Sequence, residues 1–407
     1  MEFILRILKK TGLFIVSLLI ALLSVGLLIC AGLWVATPVY RYPAATAFSG
    51  KEWYNPYEGL DRSQWYRGNF QAHSLQYRGM TDGRNNTDEQ VYKAYRDLGY
   101  EFATLTNYQQ ITERSYYDFP YIPAQEYGIN IMKTHLLLIG SYSSVLLDQP
   151  LIQGINTKQF RILRNRLDNE IIALAHPSRG KGFTRNDMKR LCHYDLLEVL
   201  NHYCDAIEYW DIALSAGRPV FMIASDDSHD VHDDTQIGHR ITMIPHAAEY
   251  ARFIYNTLRA GSTYGISLND KYAGESRSAK RARLDSYAKP VYIHEKDDTV
   301  SILLDKTVAR IEFITDDGRK AASFTYTDRA SYPAAPGDSY VRIAAYEEDG
   351  SFLLFNPLMR SVDGDRPAMP AVEKNRLATN LKVGIALLGL IIVYIYLRKK
   401  ITSRRRR

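Results

Sequence analysis

The chain has 407 residues, with 51 Lys and Arg, 45 Asp and Glu, and a formal net charge of +6, so it has room for more than one domain. The positive charge is concentrated at the ends: residues 1–37 carry three cations and one acid, and residues 381–407 carry eight cations and no acid, which leaves 40 cations and 44 acids between them. The sequence pI near 8.9 therefore reflects the terminal segments, and the acidic balance of the central region argues against a nucleic-acid partner.

Two apolar runs are predicted to cross a membrane. Residues 12–36 form an uncharged run of 25, which is long enough for a spanning helix and longer than the roughly 7–15 apolar residues of a signal peptide. A second span is predicted at 381–397 if a snorkelling Lys382 is included. Cations precede the first run and follow the second, which predicts a double-pass protein of the cell membrane with both termini cytoplasmic and the main domain outside, in the periplasm or extracellular space.

Between the two runs, the pattern changes from helix and strand alternation to strands alone. Residues 37–65 are rich in Pro, Gly and aromatic residues, and Thr87 to Gln90 form a capping box that predicts a helix ending at Gly99. Strand-like runs follow at 102–106, within 129–140, and at 171–177, 195–200 and 219–225, with predicted helices at 206–216 and 246–259.

This alternation predicts a parallel sheet or barrel, with functional groups at the carboxyl ends of the strands. After residue 288, period-two alternation broken by Asp-Asp and Asp-Gly turns predicts a small antiparallel β module. In an oxidising compartment Cys192 and Cys204 could form a disulfide or remain two ordinary buried thiols, and the sequence favours neither.

Histidines and carboxylates recur where the apolar strands end. Imidazole and carboxylate together are the ligands that Zn²⁺, Mn²⁺ or Fe²⁺ prefer. A single histidine at a strand end is more often an ordinary surface or core residue than a ligand, whereas several at corresponding ends of one alternating fold indicate a site. The residues in such positions are His73, Glu126, His135, His176, Glu198, Asp227 and His229.

The motifs around these residues resemble the PHP (polymerase and histidinol phosphatase) domain over about residues 66–265. GNFQAHS with TDG resembles the opening motif of the family, IPAQEYG its glutamate segment, IALAHP its His-Pro segment and ASDDSH its closing Asp-x-His. The resemblance implies an α/β fold, a distorted (β/α)₇ TIM-like barrel, joined here to a small C-terminal antiparallel β-sandwich module and flanked by two transmembrane helices. The predicted division is a cytoplasmic tail (1–11), a transmembrane helix (12–36), a lead-in segment (37–65), the PHP-like barrel (66–287), the β-sandwich module (288–362), a linker (363–380), a transmembrane helix (381–397) and a basic cytoplasmic tail (398–407).

The resemblance also implies a set of metal ligands, which this chain matches only in part. One metal would be held by His73, Asp227 and Glu126, and a second by Glu126, His135 and His176.

A third metal would use Asp82 and His229. Two expected histidines are replaced, by Gln71 in the first set and by Tyr108 in the third. The amide oxygen of Gln71 is a weaker ligand than imidazole, and a tyrosine ligates well only when ionised. Two divalent ions (Mn, Fe or Zn) are therefore expected rather than three. The resemblance also places Arg179 and Glu198 on the substrate side.

Three hypotheses for function follow. The first is a membrane-anchored, metal-dependent hydrolase, a phosphoesterase that acts on a small phosphorylated or glycan-linked substrate. The second is a catalytically degenerate PHP barrel that serves as a ligand-binding or scaffold module, which Gln71 and Tyr108 motivate. The third makes the barrel a spacer between two membrane helices. Because the second ligand set and the Asp-x-His pair are intact, the enzyme is favoured.

Overall fold

The structure is a computed structural model that describes residues 2–59, 64–76, 83, 86–145, 148–151, 153–245 and 251–404. Its helices are α1 (Glu2–Ala36), α2 (Asp88–Asp97), α3 (Ile155–Asn165), α4 (Arg185–Arg190), α5 (Ile207–Ser215), α6 (Ala251–Ala260), α7 (Arg277–Ser286) and α8 (Arg376–Arg404). Its strands are β1 (Tyr40–Arg41), β2 (Glu52–Tyr54), β3 (Trp65–Asn69), β4 (Phe102–Ala103), β5 (Ala124–Tyr127), β6 (Leu136–Ser141), β7 (Asn169–Leu174), β8 (Leu196–Asn201), β9 (Phe221–Ser225), β10 (Arg240–Pro245), β11 (Tyr264–Ser267), β12 (Pro290–Lys296), β13 (Thr299–Thr315), β14 (Arg319–Pro333), β15 (Tyr340–Tyr346), β16 (Phe352–Phe355), β17 (Leu358–Ser361) and β18 (Glu373–Lys374).

The chain divides into two compact units. One comprises Met1–Arg41, Gln149–Phe160 and Val372–Arg407, and the other comprises Tyr42–Asp148 and Arg161–Ala371. The boundaries predicted from the sequence are not tested by this division and stay predictions.

The first unit contains two long apolar helices. Within it, Leu8–Ala36 and Arg376–Lys400 are by length and composition able to cross a membrane, although a signal sequence near the N-terminus would meet the same criteria. The helices meet where Lys382 Nζ donates a hydrogen bond to the Trp34 carbonyl at 2.8 Å. The pairing of β1 with β18 adds a second link between the two ends of the chain. The membrane orientation stays a prediction.

In the second unit, a five-stranded sheet runs in the order β5, β6, β7, β8, β9. Its last three strands are parallel, whereas β5, β6 and β7 pair antiparallel. The sheet is therefore mixed, and the predicted parallel pairing is present only from β7 to β9. Strands β6 and β9 are buried along their whole length. Such continuous burial on both faces explains why these segments read as unbroken apolar runs in the sequence.

A larger sheet runs in the order β12, β13, β15, β16, β11, β10, β3, β4. The segment predicted as an antiparallel module is indeed antiparallel, and it continues into the α/β region through the pairing of β16 with β11. Whether this module is a sandwich stays a prediction.

Two isolated parallel bridges, Ala72 to Ser228 and Tyr108 to Glu126, lie between the two sheets. Among the described residues the strand pairing does not close into a barrel. The fold shown is mixed α/β, and the barrel stays a proposal.

Local signals in the sequence explain several element boundaries. The Thr87–Gln90 capping box is present and begins α2, and Gly99 follows its end with φ 79°, as a left-handed glycine after a helix should. Helix α5 lies inside the predicted 206–216. In 246–259 only the part from residue 251 is described, and it is helical. Residues 129–132, predicted as strand, instead form the turn between β5 and β6.

Candidate metal centre

Glu126 lies at the centre of the candidate site. Its backbone, on β5, is held by hydrogen bonds from Glu126 N to the carbonyls of Thr106 and Asn107 (3.2 and 3.3 Å), and its carbonyl accepts from Gln109 N at 2.9 Å. The side chain is fully buried. A carboxylate held this deeply requires positive or hydrogen-bonding partners on both of its oxygens.

One oxygen of Glu126 faces a pair of histidines. Its Oε1 lies 3.2 Å from His176 Nε2 and contacts His135 Nδ1, and the two imidazole nitrogens are 3.3 Å apart. His135 directly precedes β6, and His176 follows β7. The three residues form one of two described groups whose geometry suits a metal ion.

The other oxygen faces the second such group. Glu126 Oε2 lies 3.1 Å from His73 Nε2, and the same nitrogen lies 3.1 Å from Asp227 Oδ1. His229 completes this group, with its Nδ1 3.8 Å from Asp227 Oδ1. Glu126 therefore joins two sets of potential ligands through its two oxygens.

Two residues of the site have an unusual backbone conformation. His176 has φ 27° and Asp227 has φ 49°, a region that residues other than glycine seldom occupy. Each such residue costs on the order of 1–3 kcal/mol and persists only where the surroundings enforce it. Both residues lie just after a buried strand, where the strain turns their side chains toward Glu126 and His73.

Electrostatic interactions among these buried groups are strong. Burial disfavours the charged form of His73, but hydrogen bonds to Asp227 and Glu126 outweigh it and raise its pKa to about 9. Burial would raise the pKa of Glu126, yet the charges and hydrogen bonds of His135, His176 and His73 hold it well below its usual value. Burial lowers the pKa of His135 and of His229. The carboxylates of Glu126 and Asp227 are thus stabilised by positive charge, which a proton on His73 supplies when no cation is bound.

The donor set fits a divalent metal ion. Two nitrogens bound at about 2.0–2.1 Å to one tetrahedral ion are about 3.3 Å apart, the spacing found between His135 Nδ1 and His176 Nε2. Buried carboxylates beside neutral imidazoles are the ligands of Zn²⁺, Mn²⁺ and Fe²⁺. The outer nitrogens of His73 and His176 have no hydrogen-bond partner among the described residues, so these two histidines lack there the acceptor that usually orients a ligand histidine.

The two replaced positions differ in their surroundings. Gln71 is fully buried, and within the described part of the chain neither polar atom of its side chain has a hydrogen-bond partner. Tyr108 stacks on His73, with ring centroids 4.9 Å apart and planes inclined by 25°, and its ring lies edge-on to His135 at 5.6 Å. The aromatic ring therefore packs against ligands of both groups. Asp82, the other predicted ligand of a third ion, lies outside the described residues.

Arg179 and Glu198, the predicted substrate-side residues, lie in different environments. Arg179 is partly exposed, and its Nη1 lies 3.3 Å from Asp227 Oδ2. Glu198 is fully buried on β8, where its Oε2 accepts a hydrogen bond from His176 N at 2.7 Å. Burial raises the pKa of Glu198 to about 8. Glu198 thus supports the backbone of His176 from within the sheet.

Sequence reasoning missed three residues that hold the site together. The Asn86 side-chain amide donates to the carbonyls of His73 and His229 at 3.2 and 3.1 Å. The Tyr203 ring packs under the Arg179 guanidinium, 3.9 Å from its centroid, and its hydroxyl lies 3.2 Å from His229 Nδ1. Asn201 Nδ2 lies 3.4 Å from Asp227 Oδ2. Asn86 precedes the capping box, and the other two end or follow β8, so a strand-end search extended to amides and phenols would have included Asn201 and Tyr203.

Cys192 and Cys204 do not form a disulfide. Cys192 is buried and Cys204 is half-buried. Of the two alternatives left open by the sequence, the structure has the one without a disulfide.

Comparison with known proteins adds one distant similarity. No family model matches the chain, and no curated protein matches it. A crystal structure of a two-domain protein from Bacteroides vulgatus ATCC 8482, described as containing a predicted PHP-like metal-dependent phosphoesterase, is similar at 13% identity with a TM-score of 0.39, covering 78% of this chain and 100% of that chain. A likeness of this degree carries no argument about function, so the function is proposed from the side chains of the site.

Proposed function

We propose that the chain is a membrane-anchored, metal-dependent phosphoesterase whose residues 66–287 form a PHP-like barrel. The observation that supports it most is the position of Glu126, whose Oε1 faces His135 and His176 while its Oε2 faces His73. A carboxylate shared in this way is what two adjacent metal ions require of a bridging ligand.

The residues that would hold the ions are those of the two groups. His135, His176 and Glu126 would hold one, and His73, Asp227 and His229, with the second oxygen of Glu126, would hold the other. When bound, such ions supply an activated water and polarise the phosphoryl oxygen. Two ions of Mn, Fe or Zn are proposed rather than three, because Tyr108 stands where a third would need a histidine.

Arg179 is proposed to bind the phosphate of the substrate. Its side chain is partly exposed, and its guanidinium lies over the Tyr203 ring. The N–H groups that do not face Asp227 would donate to two phosphate oxygens. Glu198 is proposed to position His176 through the backbone hydrogen bond rather than to contact substrate.

The proposed location is outside the cytoplasm. Both apolar helices would span the cell membrane, with their basic flanks on the cytoplasmic side, and the substrate would be a small phosphorylated or glycan-linked molecule in the periplasm or extracellular space. A catalytically degenerate module is the second candidate, supported by the unpartnered buried amide of Gln71 and by the stacking of Tyr108 on His73.

Turnover by the full-length chain separates the two candidates. Protein purified in a neutral detergent after growth with Mn, Fe and Zn is assayed with a generic phosphomonoester and a generic phosphodiester. We expect hydrolysis that a chelator abolishes. Glu126→Gln should lower the rate by about two orders of magnitude or more, because an NH₂ group replaces one oxygen of the proposed bridging carboxylate and the negative charge is lost. The matched control is Glu170→Gln, a carboxylate paired with Arg259 outside the centre, which should retain activity. Wild-type protein that is loaded with metal but inert toward both esters would favour the degenerate module.

A further inference from the structure

The turn that joins two proposed ligands carries an exposed apolar surface. It lies between Glu126, on β5, and His135, directly before β6. In it Ile129, Ile131 and Met132 are 50%, 74% and 38% exposed, and these three residues are called the apolar tip. Single exposed apolar residues are ordinary on protein surfaces, but three within four positions beside a polar site indicate a surface that is covered in use.

Hydrogen bonds hold the tip in its exposed position. The Asn130 side chain donates to the Thr134 carbonyl and accepts from Thr134 N, both at 3.0 Å. Arg161, buried beneath the turn, donates to the same carbonyl at 2.7 Å, and its own charge is paired with Asp148. Hydrogen bonds from Asn130 and Arg161 to Thr134 therefore fix the backbone of the turn that carries the three apolar side chains.

Cations lie on the side of the tip toward the metal centre. Lys133, exposed, lies against Gly180, where an added Cβ would meet its Cγ at 3.4 Å. Lys181 is exposed, and Arg179, one residue before Gly180, reaches Asp227. Thr134 Oγ1 donates to the Gly182 carbonyl at 3.1 Å, which ties this basic segment to the turn. An apolar surface and a cationic one thus adjoin next to the same centre.

From this arrangement we infer that the substrate is a phosphate ester carried by a membrane lipid, with its acyl chains on the apolar tip and its phosphate at Arg179. The inference rests on the proposed phosphoesterase function and specifies its substrate class. Adjacent apolar and cationic groups match an amphiphile with an anionic head, whereas a soluble phosphate ester would leave the apolar tip without a role. A chain with two helices able to span a membrane would also meet lipid phosphates at high local concentration.

The test compares one phosphomonoester with and without acyl chains. Metal-loaded full-length protein in neutral detergent micelles is given dioleoyl phosphatidic acid or glycerol 3-phosphate, and both kcat/KM and Kd are measured. The variant is Ile131→Ser with Met132→Ser. The matched control is Leu167→Ser, a leucine that is 90% exposed on the turn between α3 and β7.

We expect wild-type protein to prefer the lipid, and the double variant to lose at least tenfold in kcat/KM and in affinity for the lipid, about 1.4 kcal/mol, with glycerol 3-phosphate unaffected. Leu167→Ser should match wild type with both. An unchanged lipid preference in the double variant, an equal loss with both esters, or a wild-type preference for glycerol 3-phosphate would overturn the inference. If neither ester is hydrolysed, phosphomonoesterase activity is excluded and the phosphodiester assay alone decides on the phosphoesterase proposal, while the Kd values still decide on lipid recognition by the same criteria.

Discussion

Glu198 has a buried environment that is unusual for a carboxyl group. It is fully buried on β8 and accepts a hydrogen bond from His176 N, and burial raises its pKa to about 8. An unfolded glutamate has a pKa of about 4.3. Folding therefore takes up a proton between these two values, and the stability contributed by the protonated carboxyl is present below about pH 4.3 and is lost as the pH rises to about 8.

The first prediction concerns this pH dependence in metal-free protein. With chelator present, deprotonation of Glu198 should lower the stability of the wild-type protein between pH 5.5 and 7.5, by at most about 1.4 kcal/mol per pH unit. Glu198→Gln should lack this loss because an amide does not titrate. Thermal unfolding in detergent at several pH values measures it. Glu208→Gln, on an exposed part of α5, is the control and should follow wild type. Parallel curves for wild type and Glu198→Gln would contradict the assignment of this proton.

The residues predicted from the sequence share a local signal, which Asn86 lacks. His176 and Asp227 each end an apolar run, so their place at a strand end followed from the printed order of residues. Asn86 does not end a strand, and its role depends on hydrogen bonds to two carbonyls more than ten residues away in the chain. Such contacts exist only after the strands have paired, and no local pattern encodes them.

At the scale of elements, the segment after β9 shows how the strained Asp227 is held. The buried side chain of Asp226 accepts hydrogen bonds from Gly238 N, His239 N and Arg240 N at 2.7, 2.9 and 3.0 Å. Its own N–H donates to Asn69 Oδ1 at 2.9 Å. The carboxylate of Asp226 thus joins the end of β9 to the start of β10, and the backbone N–H of the same residue joins this point to Asn69 on β3.

The second prediction is that Asp226→Asn destabilises the protein and weakens the centre. An amide has one acceptor oxygen in place of two, so at least one buried N–H is left unpaired at a cost of about 1–3 kcal/mol. The midpoint of thermal unfolding should fall by about 2 °C or more, and metal affinity should fall with it. Asp233→Asn, in the exposed loop that follows, should change both far less. Wild-type stability and metal affinity in Asp226→Asn would show that this carboxylate does not organise the site.

Strand existence was easier to predict than strand pairing. The apolar runs that became β7, β8 and β9 were recognised from composition because both of their faces are buried. The antiparallel direction of β6 cannot be predicted in this way, because a buried strand has the same composition whichever direction it runs. The composition of residues 129–132 predicts a strand, but the Asn130 side chain bonds both backbone groups of Thr134 and closes a turn there.

At the scale of the whole molecule, the arrangement of cations predicts the topology. Both basic termini should face the cytoplasm and residues from about 38 to 380 should lie outside it. A green fluorescent protein fused after residue 407 should fluoresce in a bacterial host, and alkaline phosphatase fused after residue 366 in a truncated chain should be active. A dark C-terminal fusion, or an inactive phosphatase fusion that is stably produced, would contradict the double-pass topology.

The proposed bridging role of Glu126 is tested most directly by the amount of metal bound per chain. Full-length protein is purified after growth with Mn, Fe and Zn, and its metals are measured by mass spectrometry for wild type, His176→Ala, Glu126→Gln and the control Glu170→Gln. About two ions per chain are predicted for wild type and control on the scheme of two adjacent ions, about one for His176→Ala, and fewer still for Glu126→Gln, since its carboxylate faces both ligand groups. Metal-free wild-type protein, or a Glu126→Gln variant that retains the wild-type content, would contradict the two-ion centre.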